Sequence, residues 1–282
     1  YNFNNLPEEV RNKLLLKLSE KEEAVGIVEK IVRDNFDKIP KHVLLKLSEK
    51  EEAAGIVAWI VRDNFNKIPE GMRNELLLKL AEKKRTAWIV ACIVYYNFNN
   101  LPEEVRNKLL LKLSEKEEAV GIVEKIVRDN FDKIPKHVLL KLSEEVAWIV
   151  AKTVAYNFNG IPKEVRNELL LKLAEKKRAA RIVAWTVADI FDNLPEEVRN
   201  ELLLKLSEKE EAARIVACIV YYNFNRIPKE VRNELLLKLS ENDKAPGIVA
   251  WVVADNFDKI PEEVRKRLPE EVKKAARSRS RI

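Results

Sequence analysis

A Phe followed three residues later by Leu-Pro or Ile-Pro recurs at Phe3, Phe36, Phe65, Phe98, Phe131, Phe158, Phe191, Phe224 and Phe257, and these nine are every Phe in the chain. The full stride is 33 residues. Tandem repetition at that period constrains the fold more than any other feature, because each copy buries its apolar face only against its neighbours. One elongated core is therefore expected across all 282 residues.

The unit itself has two helical halves. Pro102 to Leu113 reads as helix A, with Pro and two acidic residues in the first turn, where the amides lack partners and the dipole is positive. Val105, Leu109 and Leu113 stack one turn apart, Leu110 widens that face, and Leu111 points the other way, as for a helix with neighbours on two sides. The polar stretch Ser114 to Ala119 breaks the pattern. Ser114 with Glu117 fits a capping box, which predicts helix B from there to about Asn130 with Ile122, Val123, Ile126 and Val127 inward.

One long helix is excluded by the fifth unit, whose junction at Ser143 to Val146 is two residues shorter than in the second. That loss would turn a continuous helix by about 200° and expose the core, so a loop is expected to absorb it. Units two and five also lack four residues near the start of helix A, at Pro40 to Val43 and Pro135 to Val138, which is close to one turn and preserves the face. Residues 1–49 are identical to 96–144, as a duplicated three-unit block would be.

The expected units are 1–34, 35–63, 64–96, 97–129, 130–156, 157–189, 190–222 and 223–255, followed by a C-terminal cap and basic tail over 256–282. Tyr1 to Asn4 repeats Tyr96 to Asn99, the tail of a helix B, so helix A of unit one is expected to leave Val10, Leu14, Leu15 and Leu18 uncovered on one side. That face predicts a homodimer through the first repeat. At the other end Pro269 interrupts the pattern, and Arg265, Lys266, Arg267, Lys273 and Lys274 stand at apolar positions. The run Lys273, Lys274, Arg277, Arg279 and Arg281 reads as a frayed basic end.

Paired helices of this length, opened by Pro and acidic residues and closed by an Ile-Val second helix, resemble the HEAT/armadillo class of α-solenoids. The resemblance is architectural. It implies an all-α, right-handed α-solenoid of about nine helical hairpins, with helix B lining the concave face. The armadillo pairing of Trp with Asn one turn later does not carry over, since Asp63 follows Trp59 and Asp255 follows Trp251.

In helix B, Ile27, Val28 and Val32 return unchanged through to Ile248, Val249 and Val253, while three columns vary. The first reads Gly26, Gly55, Trp88, Gly121, Trp148, Arg181, Arg214 and Gly247. The second reads Lys30, Trp59, Cys92, Lys125, Lys152, Trp185, Cys218 and Trp251, and the third Arg33, Arg62, Tyr95, Arg128, Ala155, Ala188, Tyr221 and Ala254. At 100° per residue these columns form one ridge beside the core face. All five Trp and both Cys of the chain lie on it, with eight Lys or Arg and no Asp or Glu. Acids return one position later, at Asp34, Asp63, Asp129, Asp189 and Asp255, alternating with Tyr96, Tyr156 and Tyr222. Packing residues would recur with the repeat and these do not, so the ridge is expected to be exposed.

Exposed Trp, Tyr and Arg are the usual composition of interface hot spots. A binding scaffold for an extended peptide or protein is the expected function. Single-stranded nucleic acid, read by aromatic and basic groups together, is the second possibility, and self-assembly of a structural or designed repeat the third. No enzyme is expected. His42 and His137 occupy one repeated position without acidic or Cys partners, no Cys/His spacing suggests a metal, and no Gly-rich loop suggests a nucleotide cofactor. Cys92 and Cys218 are too far apart to pair along a solenoid, which favours a reducing, cytoplasmic setting. No apolar run is long enough to span a membrane. The net charge of +6 permits a polyanionic partner without requiring one. The absence of Gln and the wealth of Lys, Glu and Arg suit a thermophile-like or simplified composition.

Overall fold

The computed structural model describes residues 3–142 and 144–279, the side chain of Asn4 excepted. Tyr1, Ser143 and Arg281 lie outside the described residues. Among the described residues all regular structure is helical, and no helix is long and apolar enough to cross a membrane.

The chain divides into two compact units, Tyr1–Val146 and Ala147–Ile282. The first holds α1 (Glu8–Leu18), α2 (Val25–Asp34), α3 (Lys41–Glu49), α4 (Glu51–Asp63), α5 (Glu70–Leu80), α6 (Lys84–Tyr96), α7 (Glu103–Ser114), α8 (Glu117–Asp129) and α9 (Lys136–Lys141). The division falls within α10 (Glu144–Tyr156). The second unit continues with α11 (Lys163–Ala174), α12 (Lys177–Asp189), α13 (Glu196–Ser207), α14 (Glu210–Asn223), α15 (Lys229–Ser240), α16 (Pro246–Asp255), α17 (Glu262–Arg267) and α18 (Glu270–Arg279). Odd-numbered helices are the A halves of the repeats and even-numbered ones the B halves. Within each unit successive A helices pack on one another, as do successive B helices, and α1, α3, α5, α7, α11, α13 and α15 each pack on the B helix that follows.

The recurring Asn-Phe pair explains how B hands over to the next A. Asn97 Nδ2 donates to the Ile93 carbonyl at 2.9 Å and Asn223 Nδ2 to the Ile219 carbonyl at 3.0 Å. At Asn97 the same carbonyl also takes the backbone amide at 3.0 Å, so the Asn closes on the last turn through both its amide and its side chain. A single 3-10 turn then begins at Phe98, Phe158, Phe191 and Phe224, and an ordinary turn holds Phe65; all five rings turn inward and are buried.

An Arg from the first turn of helix A clamps that turn. The guanidinium of Arg73 lies 4.1 Å from the Phe65 ring centre, with Arg166 at 3.6 Å from Phe158 and Arg232 at 4.0 Å from Phe224. In the same three pairs, Nη1 donates to the Phe carbonyl at 3.2, 3.1 and 3.0 Å. Burial pulls the Arg166 and Arg232 guanidinium pKa values down from their ordinary range. The shortened helices α3 and α9 contain no Arg, and their Phe36 and Phe131 are only half-buried.

Helix starts and stops differ from expectation. Pro102 is the residue before α7 rather than its first, with ψ at 143°, and its carbonyl takes the Arg106 amide at 3.0 Å. The capping box at Ser114 and Glu117 does not form. Lys116 precedes α8 in extended conformation, with no side-chain cap. Ser114 instead belongs to the end of α7, where its hydroxyl donates to the Leu111 carbonyl at 2.8 Å. Ser19, Ser48, Ser207 and Ser240 do the same. The Ser is buried among A helices, and the nearest group lacking a partner is a carbonyl of its own last turn. Where Ala81 replaces it, the buried Thr86 hydroxyl reaches the Leu80 carbonyl at 2.5 Å.

Three further expectations are corrected. The short junction of repeat five is absorbed by helix A, not by a loop: α9 has 6 residues against 9 in α3, while α4 and α10 both keep 13. Ile27, assigned to the core, is 56% exposed, because α2 is the first B helix and has a B neighbour on one side only. In α1, Val10 and Leu14 are exposed as expected, but Leu15 is fully buried and Leu18 half-buried.

The basic segment through Arg279 is no frayed end either. It forms α18, which packs on α16 through Val272 and Ala276. Arg279 stacks 4.9 Å from the Trp251 ring and lies 3.3 Å from an Asp255 carboxylate oxygen.

Candidate binding surface

Helix B keeps its Val and most of its Ile and Ala positions against neighbouring helices, which leaves the three variable columns on the opposite side. Lys30, Arg33, Trp59, Arg62, Trp88, Lys125, Arg128, Lys152, Arg181, Trp185, Arg214 and Trp251 are exposed, and Cys92, Tyr95, Trp148, Cys218 and Tyr221 half-buried. Trp59 is 37% exposed, Trp88 and Trp251 48%, and Trp185 54%. A Cβ built at Gly55 or Gly121 meets nothing within 4 Å, so these glycines do not serve close helix approach.

In the first unit the ridge gathers into an aromatic cluster. The Trp59 and Trp88 rings lie 6.5 Å apart at 60°, and the Arg62 guanidinium lies 3.9 Å over Trp59. Cys92 sits one turn beyond Trp88. Burial pushes its thiol pKa up, while Arg62 and Lys125 pull the other way, so it is kept protonated rather than activated. Much of the positive charge here is already matched. Arg33 pairs with Glu29 at 2.5 Å, Arg62 with Asp63 at 2.8 Å and Arg128 with Asp129 at 2.9 Å.

Asp129 also accepts a hydrogen bond from the Tyr95 hydroxyl at 3.0 Å. The Arg128 bond first, and the Tyr95 bond with it, hold that carboxyl below its usual value. In the second unit the Tyr221 hydroxyl reaches Asp255 at 2.9 Å. These links between successive B helices went unforeseen. Their signal is a shared stride of 34 residues between Tyr and Asp.

The second unit arranges its ridge differently. Lys152 lies 5.9 Å from the Trp148 ring and 5.8 Å from the exposed Tyr156 ring. Between α12 and α14 opens a groove of about 740 Å3, lined by Arg181, Trp185, Arg214, Cys218 and Tyr222, with Glu210, Glu211 and Lys244 at one end. Those three residues, and the role of Arg279 over Trp251, were not foreseen, since in sequence they are ordinary surface charges.

His42 and His137 are both exposed. Among the described residues no group of three or more His, Cys, Asp or Glu is placed to share a metal ion. The chemistry this surface offers is therefore stacking, apolar contact, hydrogen bonding and charge pairing. Compared with protein-family models, with curated proteins and with solved structures, the chain finds no match.

Proposed function

We propose that the chain is a non-enzymatic recognition scaffold, a right-handed α-solenoid of the HEAT/armadillo type, which binds an extended peptide or protein segment along the B-helix ridge. One observation carries this reading: four Trp side chains stand 37–54% exposed on helices whose invariant Val positions are buried. Ordering a large, stiff aromatic residue on a surface is the usual way to anchor a partner. The departure of the variable columns from the repeat supports it as well, because a partner of irregular sequence needs irregular contacts.

A nucleic-acid reading draws support from the Arg62, Trp59 and Trp88 stack, which has the form of a base-stacking platform. Against it stand the carboxylates paired with Arg33, Arg62 and Arg128, which repel phosphates and occupy three of the eight ridge cations. Salt separates the two. Binding through several phosphate contacts weakens steeply from low to moderate salt, whereas a Trp-anchored peptide complex barely responds. Capture of partners by the intact chain at two salt concentrations, with protein and nucleic acid both identified, tests the proposal. A retained fraction consisting only of nucleic acid and lost at moderate salt would reject it.

A further inference from the structure

The α12–α14 groove differs from the rest of the ridge in its charge. Lys177, the first residue of α12, pairs with Glu211, the second of α14, at 3.3 Å, so the two helices begin side by side. At that end Glu210 is matched by Lys244 at 2.7 Å, which holds its carboxyl below the usual range. Both acids of the groove are thus neutralised. Arg181 and Arg214 face it from the two helices and, among the described residues, pair with no carboxylate. They are the only two Arg in the first variable column. One turn further along stand Trp185 on α12 and Cys218 on α14, with Ile215 and Tyr222 beside them.

Two guanidinium groups without a carboxylate partner, beside a wall of Trp185, Ile215 and Cys218, call for one anion next to one apolar side chain. A guanidinium offers a planar fork to a carboxylate, and two can share it. A polyphosphate strand carries a charge at every step and no apolar side chain to set against Trp185 and Ile215, so it matches this lining less well. We propose that this groove takes a peptide segment in which a carboxylate, held between Arg181 and Arg214, adjoins an apolar side chain seated against Trp185, Ile215 and Cys218. The assignment rests on the peptide-recognition reading and narrows its ligand to an acidic, apolar sequence.

The test uses the full chain carrying Cys92→Ser, which leaves Cys218 as its one thiol. A fluorescein-labelled peptide in which Asp and Glu alternate with Leu and Phe is titrated by anisotropy. In parallel the alkylation rate of Cys218 by N-ethylmaleimide is followed with and without that peptide. Saturable binding is expected, with alkylation slowed several-fold. Arg181→Ala with Arg214→Ala should weaken binding by about tenfold or more, as loss of charge-assisted contacts does, while the melting curve stays in place because both side chains are exposed. Binding unchanged in that double variant, or equal binding of a peptide with Lys and Arg in place of the acids, overturns the assignment. If the basic peptide alone protects Cys218, the scaffold reading stands and the acidic ligand falls. If no peptide of either charge binds, or only a single-stranded oligonucleotide protects Cys218, both fall together.

Discussion

Arg199 is buried against Phe191, its guanidinium 4.4 Å from the ring centre and its Nη1 3.4 Å from the Phe carbonyl. Truncating it removes a stacked cation and a hydrogen-bond donor and opens space above the ring. Arg199→Ala should cost about 1–3 kcal/mol in urea unfolding. Arg199→Lys should recover less than half of that, because an ammonium has no plane to lay on the ring. The ridge should respond in the opposite way. Trp59→Ala, Trp185→Ala and Trp251→Ala should each cost about 1 kcal/mol, against about 3–5 for a fully buried Trp, and together should abolish partner binding. A loss near the upper figure for each would mean that the Trp column is packing, and the recognition reading would lose its main support. The Phe turns and the Val columns were legible because apolar residues on a fixed period have few uses other than a core. The clamping Arg was not, because a charged residue in the first turn of a helix reads as solvated. Its one visible mark is that it stands eight residues after the Phe of the turn.

Helix ends show where local pattern and tertiary packing part company. Ser followed three residues later by Glu is a sound capping signal, and the two-helix unit it suggested is present, yet the cap is not. Burial decides: Ser207 is nearly inaccessible between helices and its hydroxyl points back to the Leu204 carbonyl at 2.7 Å. Ser207→Ala should therefore cost about 0.5–1.5 kcal/mol, one ordinary hydrogen bond. The loss should appear at the end of α13. Amide exchange at Ala212 and Ala213, whose N–H groups both bond to the Lys209 carbonyl, should stay as slow as before. Faster exchange confined to those two amides would restore the N-cap interpretation. The same logic explains why the short junction of repeat five trims α9: α10 must keep its full length to carry Val146, Val150 and Val154 inward, and helix A can give up a turn at its end.

Within each unit the repeats are tied by a ladder of ion pairs 30 residues apart, each joining a residue at or near the end of one A helix to one at or near the end of the A helix before it. Lys50 meets Glu20, Lys79 meets Glu49 and Lys112 meets Glu82 in the first unit, and Lys205 meets Glu175 and Lys238 meets Glu208 in the second. A hydrogen bond from the Lys is the leading cause that holds every one of these five Glu below the ordinary value of 4.5. A carboxyl whose pKa is depressed on folding binds its proton more readily in the unfolded chain. Its contribution is therefore complete above the unfolded value and is lost as pH falls through the lower, folded one. Lys79, Lys205 and Lys238 are raised by the same bonds, so the alkaline loss begins above 10.5. Each pair is solvent-exposed and individually weak, but all act in one direction at successive repeat junctions. The melting temperature should hold steady through neutral pH and fall by a few degrees as acid takes the solution below about pH 4.5. A variant with Gln at all five Glu positions should start lower and show a flatter acid limb. Salt at about 1 M should bring the two proteins together at neutral pH, since screening then acts over about 3 Å. Parallel acid limbs in the two proteins would show that the ladder adds nothing to the cohesion of the repeats, and the acid sensitivity would have to come from other paired carboxylates, such as Asp129 and Asp255 on the B helices, which are held ionised by Arg and Tyr.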